Sequence, residues 1–249
     1  MEKDHTMSAS SEQRTPWFVE PTKPLGRIAV FDLETRDDPL IVGLGSSPKA
    51  ARPFVQRIAS FSSLVVTEPS IGHWEIEGLT THHGEETEIL EAIDRAFASK
   101  PTLVTYNGTR HDLPVIRRRI MRHRRYKLDA ALGAMHLPHL DLLTFPRVPA
   151  GGDRGSLQDR CAGLGIDAKT YLDGLDGRSR MVLKGEVDAV ATFLLLIHEL
   201  AALRIDGRVW AAGMRALEVA GRGEWAGKGH LSTLVAGGMR RRDLRGKPS

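Results

Sequence analysis

The stretch from Val187 to Ile205 is the most apolar part of the chain, and it is broken by Asp188, His198, Glu199 and Arg204. Crossing a bilayer takes roughly 20 uninterrupted apolar residues, so the interruptions exclude a membrane span. The reading is a buried helix of a soluble, cytoplasmic protein, extending over about Glu186 to Ile205. Its body must pack on a sheet. Asp188 stands near its start, where a carboxylate on a buried helix has to answer to something across the interface.

The sheet is written in short β-branched runs. Arg27 to Phe31 (RIAVF), Arg57 to Thr67 (RIASFSSLVVT) and Gly72 to Glu77 (GHWEIE) read as three strands, the last two joined by a turn at Pro69-Ser70. Thr102 to Tyr106 and Leu137 to Leu143 read as two more. Between them, Ile89, Ile93 and Phe97 lie four apart, which places a helix over Glu85 to Ser99, and its early Glu85, Glu86 and Glu88 suit the positive end of the helix dipole. A basic helix follows from Leu113. Ser156 to Leu164 is a short helix with Ser156 as N-cap and Gly165 as its stop. Val209 to Ala220 and Leu231 to Ala236 add helical segments. The order is that of an α/β layer fold, with an antiparallel meander first and crossovers later.

The expected organisation is a flexible tail over residues 1–23, one domain over 24–206, and a helical, basic extension over 207–249. Residues 1–16 are polar and mixed in charge, unlike a signal peptide. At 249 residues and 41% hydrophobic, the chain is long and apolar enough for a sizeable core. Its one cysteine, Cys161, excludes an internal disulfide and a cysteine-cluster zinc site, and reads as a small core residue. His82, His83, His136 and His139 lack a helical zinc pattern. Net charge is a modest +4, but basic residues crowd Arg117 to Lys127 and Arg240 to Lys247, as on a surface that meets a polyanion or on a solvated face.

Chemistry concentrates in four carboxylates. Asp32 and Glu34 are two apart at the end of the first strand, so both side chains lie on one face. Unpaired carboxylates at the rim of a buried sheet repel, and a divalent cation removes that repulsion. Asp112 follows the strand ending at Tyr106-Asn107, and Asp188 begins the apolar helix, so elements distant in sequence can bring all four together. Oxygen donors without cysteine suit magnesium or manganese, and paired ions of this kind serve in-line displacement at phosphorus.

Phe31-Asp32-Leu33-Glu34-Thr35 resembles the first motif of the DEDD superfamily of 3′–5′ exonucleases. Leu103 to Gly108 with His111-Asp112-Leu113-Pro114 resembles the second, in the form found in exonuclease domains similar to those of family B DNA polymerases, with His111 where that pattern has Phe. Glu186-Val187-Asp188, followed by Thr192, resembles the third. Together with His139 to Leu142 and Ser156-Leu157, the chain is most similar to the stand-alone bacterial polymerase-B-like 3′–5′ exonucleases, over about Pro24 to Leu203.

This resemblance implies a ribonuclease-H-like fold with a mixed sheet flanked by helices. It also implies two divalent cations, magnesium or manganese, on Asp32, Glu34, Asp112 and Asp188, and nucleotide removal from a 3′ end of nucleic acid. Single-stranded or 3′-ended DNA is the expected partner, with RNA as the other option. Thr35 would lie near the terminal nucleotide, Asn107 would position substrate or its own loop, and His111, Arg117 and Arg118 would contact substrate. The family places a Tyr four residues before the last Asp, or five in its His version; here those residues are Lys184 and Leu183. Lys184 serves as a base, as a phosphate contact, or marks a weakened enzyme that has become a nucleic-acid-binding module. Tyr171 is a second source of the missing hydroxyl. Asp141 shares a strand face with His139 and either supports the site or simply ends a strand.

Overall fold

The protein is described by a computed structural model over residues 22–42, 55–145, 155–168 and 177–239. Five strands form one sheet: β1 (Gly26–Asp37), β2 (Gln56–Ser70), β3 (His73–His83), β4 (Thr102–Thr105) and β5 (His139–Asp141), in the order β3-β2-β1-β4-β5. β1 to β3 form an antiparallel meander, and β4 and β5 join parallel to β1 and to each other. The helices are α1 (Pro39–Val42), α2 (Glu86–Phe97), α3 (Asp112–Arg122), α4 (Asp129–Gly133), α5 (Leu157–Gly163), α6 (Gly177–Leu203), α7 (Gly207–Arg222) and α8 (Gly229–Met239), with a 3₁₀ turn at Ala134–His136.

Strand alternation builds two cores, one on each face of the sheet. Ala29, Phe31 and Leu33 of β1 pack with Phe61 and Phe97 beneath α2 and α3. Ile28 and Val30 face the other way, with Leu64 and Val66 of β2, against α6. The buried helix predicted from its apolar sequence is α6, and Val187 to Ile197 are shielded from solvent. α7 and α8 close over this layer: Val209, Leu217, Trp225 and Leu231 belong to the same core. Trp74 of β3 packs edge-on to Phe193 and donates from Nε1 to the Val209 carbonyl at 3.2 Å. Glu68, fully buried, pairs with Arg204 and accepts the backbone N–H of Leu25 at 2.9 Å, which fixes the end of α6 to the start of β1.

Several boundaries differ from the sequence reading. β1 does not end at Phe31. It runs to Asp37 because β2 stays paired with it as far as Gln56, with a bulge at Glu34/Thr35. Asp32 and Glu34 are therefore inside a strand rather than beyond one. α6 starts at Gly177, well before Glu186, so Lys184 and Asp188 lie within the helix body. α4 and the 3₁₀ turn were not anticipated, being short and only partly apolar. Ser156 is the N-cap of α5, in a capping box with Asp159, and Gly165 follows that helix with φ +78°, as the sequence indicated.

Glu86 does more than meet a helix dipole. Arg119 binds its carboxylate through two nitrogens, at 2.8 and 2.5 Å, and reaches Asp38 at 2.8 Å, while His123 completes the group. Arg119 is buried, so part of the basic run of α3 is internal structure. Cys161 is buried with its thiol pushed up to about 12, first by burial, which suits an unreactive core residue. Tyr171 and Arg240 to Lys247 lie outside the described residues, as do residues 1–21 of the expected tail. Among the described residues, no helix is long and apolar enough to cross a membrane.

Candidate active site

The face of β1 that carries Ile28 and Val30 toward α6 continues, two residues at a time, to Asp32 and Glu34. The apolar contact thus becomes a polar one along the same interface. From the opposite side α6 contributes Asp188, and one oxygen from each of Asp32, Glu34 and Asp188 falls within 4.8 Å of the others. Among the described residues this is the one group of metal-ligating side chains with such geometry.

α6 reaches the sheet closely, at β2, because residue 185 is glycine. A Cβ there would come 2.5 Å from Ser62 Oγ and 3.9 Å from Asp32 Oδ2. Ser62 lies two residues from Leu64 on the α6-facing side of β2, and its hydroxyl is 3.0 Å from that of Thr81. Gly185 escaped the sequence reading. The sequence reading began this helix at Glu186, so the glycine carried no signal there; inside the longer helix it costs about 1 kcal/mol against alanine and calls for a packing reason.

The electrostatics are those of crowded acids. Burial raises the Asp32 pKa well above the usual carboxylate range, and repulsion from Asp188, Glu34 and Asp112 adds to it, with Lys184 opposing. Glu34 is raised as well, again mainly by burial and against the pull of Lys184. Lys184, one helical turn before Asp188, donates to Glu34 Oε1 and to Asp188 Oδ2, the latter at 2.7 Å. Burial alone lowers its pKa, but Asp32, Asp188 and Glu34 outweigh that and the net shift is upward. Among these free carboxylates the Lys184 side chain is held as a charged ammonium.

The donor set fits a hard divalent ion. Asp32 Oδ2 is buried without a hydrogen-bond partner among the described residues, and an orphaned anionic oxygen among like charges is what a cation relieves.

Asp112 stands apart from this tight group. It is buried at the first residue of α3, its Oδ1 is 2.9 Å from His111 Nδ1, and burial raises its pKa. It still feels the site, since it contributes to the Asp32 shift. His111 spans two partners, with Nε2 at 2.9 Å from Gln56 Oε1 on β2. Asn107 has φ +69°, and the turn it starts is held from β5: Asp141 accepts the backbone N–H groups of Asn107 at 2.7 Å, Thr109 at 3.0 Å and Leu143 at 3.1 Å. The neighbouring His139 bonds Thr105 Oγ1 at 2.8 Å, and its pKa falls to about 4, chiefly through burial. Thr35 is half-buried at the bulge of β1. Arg117 is exposed on α3, and Arg118 beside it is half-buried.

Residues 61–183 match a family model described as the RNase_H superfamily. No curated protein sequence gives a significant match. Among solved structures the chain is similar to the family B DNA polymerase of the hyperthermophilic archaeon Pyrobaculum calidifontis, with 15% identity, a TM-score of 0.41, and coverage of 78% of this chain and 28% of that one. It is also similar to E. coli Exonuclease I in complex with a dA16 oligonucleotide, with 16% identity, a TM-score of 0.44, and coverage of 75% of this chain and 42% of that one. The chain therefore spans less than half the length of either protein. Its fold, a mixed five-stranded sheet flanked by helices, is ribonuclease-H-like.

Proposed function

We propose that this ribonuclease-H-like chain is a metal-dependent 3′–5′ exonuclease, which hydrolyses phosphodiesters at the 3′ end of nucleic acid and releases nucleoside monophosphates. The observation that carries this reading is the meeting of Asp32 and Glu34 from β1 with Asp188 from α6 within 4.8 Å. It occurs where the resemblance to the DEDD exonucleases puts the metal ligands, in a chain whose residues 61–183 match the RNase_H superfamily.

Asp32, Glu34 and Asp188 hold magnesium or manganese, and Asp112 supports the site from the start of α3. The divalent ion, when bound, supplies a Lewis acid for a phosphoryl oxygen and lowers the pKa of water. The protein's own part is positional. β1 and α6 fix the carboxylates on rigid elements, and Thr35 and Asn107 flank the terminal nucleotide. His111 has both ring nitrogens within hydrogen-bond distance of protein groups, and we assign it to orienting Asp112. Lys184, held charged between carboxylates, meets the phosphate rather than taking a proton from water. Arg117 and Arg118 follow the backbone of the strand, where affinity is largely electrostatic. Single-stranded or 3′-ended DNA is the favoured substrate, with RNA as the competing one.

A second reading has one observation in its favour. Lys184, which stands where the resembled family has Tyr, is bonded to two of the three carboxylates, as in a domain that binds nucleic acid without turning it over. A 5′-labelled single strand incubated with magnesium or manganese separates the two. Stepwise shortening from the 3′ end that is lost in Asp188→Ala supports the exonuclease. Salt-sensitive binding without shortening supports the binding module.

A further inference from the structure

The resemblance implies two divalent ions, but the position of Lys184 argues for a smaller number. Its ammonium lies between Glu34 on β1 and Asp188 on α6 and donates to one oxygen of each. Lys184 and Asp188 are four apart on one helix, so the ammonium reaches Asp188 without leaving its own helix face. Magnesium binds oxygen at 2.0–2.1 Å. An ion bridging these same two oxygens would press against the ammonium with no water between them, and two cations in contact repel strongly in a partly buried site. The ammonium acts on Asp32 only through its charge, and Asp32 Oδ2 has no hydrogen-bond partner among the described residues. One cation place is filled by the chain itself and one remains.

We propose that Lys184 is a built-in cation that replaces one of the two divalent ions, so that the chain holds a single magnesium or manganese ion on Asp32 and the remaining oxygens of Glu34 and Asp188. This rests on the exonuclease reading for the presence of an ion, and it departs from that reading in the number. Lys184 has three donors. Two serve the carboxylates, and the third is left for a substrate phosphate, which its 35% exposed side chain can reach. The charge that a second ion would bring to the departing oxygen is then supplied by the ammonium.

The test is a count of ions. Manganese is titrated into the full chain, and free Mn²⁺ is followed by electron paramagnetic resonance, with and without a saturating nucleoside 5′-monophosphate. The wild type is expected to saturate at one ion per chain. Lys184→Ala and Lys184→Gln are expected to take two, and Lys184→Arg, which keeps the charge, to return to one. Two ions in the wild type would overturn the proposal, as would a count that stays at one in both neutral variants or rises to two in Lys184→Arg. Such a result with 3′ shortening intact defeats this inference alone. A wild type that retains no manganese defeats the exonuclease reading as well.

Discussion

Gly185 and Ser62 are in such close contact across the α6–β2 interface that a methyl group on residue 185 would lie 2.5 Å from the Ser62 hydroxyl oxygen. The same helix turn carries Lys184, and Asp188 follows one turn later. The approach of α6 to the sheet is therefore what brings Asp188 to Asp32. Gly185→Ala is expected to push the helix outward, lower the thermal midpoint and reduce nuclease rate by at least about tenfold, the scale of a misplacement of an ångström or less. Adding Ser62→Ala removes the clashing oxygen and leaves a Cβ at 3.3 Å. Partial recovery of rate in the double variant, measured beside both single variants, checks this account.

The raised pKa values of Asp32 and Glu34 set the sign of a pH effect. An acid whose folded pKa exceeds its unfolded value near 4 favours the folded state at low pH. That stability is lost as pH climbs from about 4 through the raised value. Without metal, the wild type should lose thermal stability over this window relative to Asp32→Asn, which should be more stable at neutral pH by roughly 2–4 °C. Magnesium or manganese should close the gap by stabilising only the wild type. Melting curves with chelator and with metal supply the comparison.

Asp141 receives three backbone N–H groups and makes no part of the tight carboxylate group. Asp141→Ala removes the acceptor of three part-buried donors, of which the exposed Thr109 can turn to water. A loss of about 1–3 kcal/mol in urea unfolding is expected, together with weaker substrate binding as the Asn107 turn loosens. Unchanged stability would remove Asp141 from the support of that turn.

The basic run of α3 divides in two. Arg119 is buried between Glu86 and Asp38, so Arg119→Ala leaves uncompensated charge and should cost about 3–5 kcal/mol. Arg117 is exposed, and Arg117→Ala should leave stability within about 0.5 kcal/mol while weakening nucleic-acid binding and flattening its salt dependence. Unfolding curves and binding measured at two salt concentrations distinguish the two arginines.

The parts of this molecule legible in the sequence are those set by local rules. The alternation of β1 put Asp32 and Glu34 on one face, and the apolar body of α6 required a sheet beneath it. The Ser156 cap and the Gly165 stop are short-range patterns. What stayed hidden depends on partners remote in sequence. The polar end of β1 looks like a loop until β2 is paired with it. Arg119 looks like a solvated arginine until Asp38 and Glu86 arrive from other elements. Asp112 joins the other three acids by motif, yet it lies outside their tight group and pairs with His111 instead. Lys184 was visible as a departure, but its bond to Glu34 required the register of α6 on β1.

The most direct test of the central claim uses two single strands of one sequence, one with a free 3′ hydroxyl and one with a blocked 3′ end, incubated with magnesium or manganese and with the products resolved by chromatography. The account predicts nucleoside monophosphates from the free end, little release from the blocked strand, and none from either with Asp32→Ala or Asp188→Ala at unchanged fold. Internal cleavage of both strands at equal rates, release that persists in either variant, or binding without any metal-dependent release would contradict it.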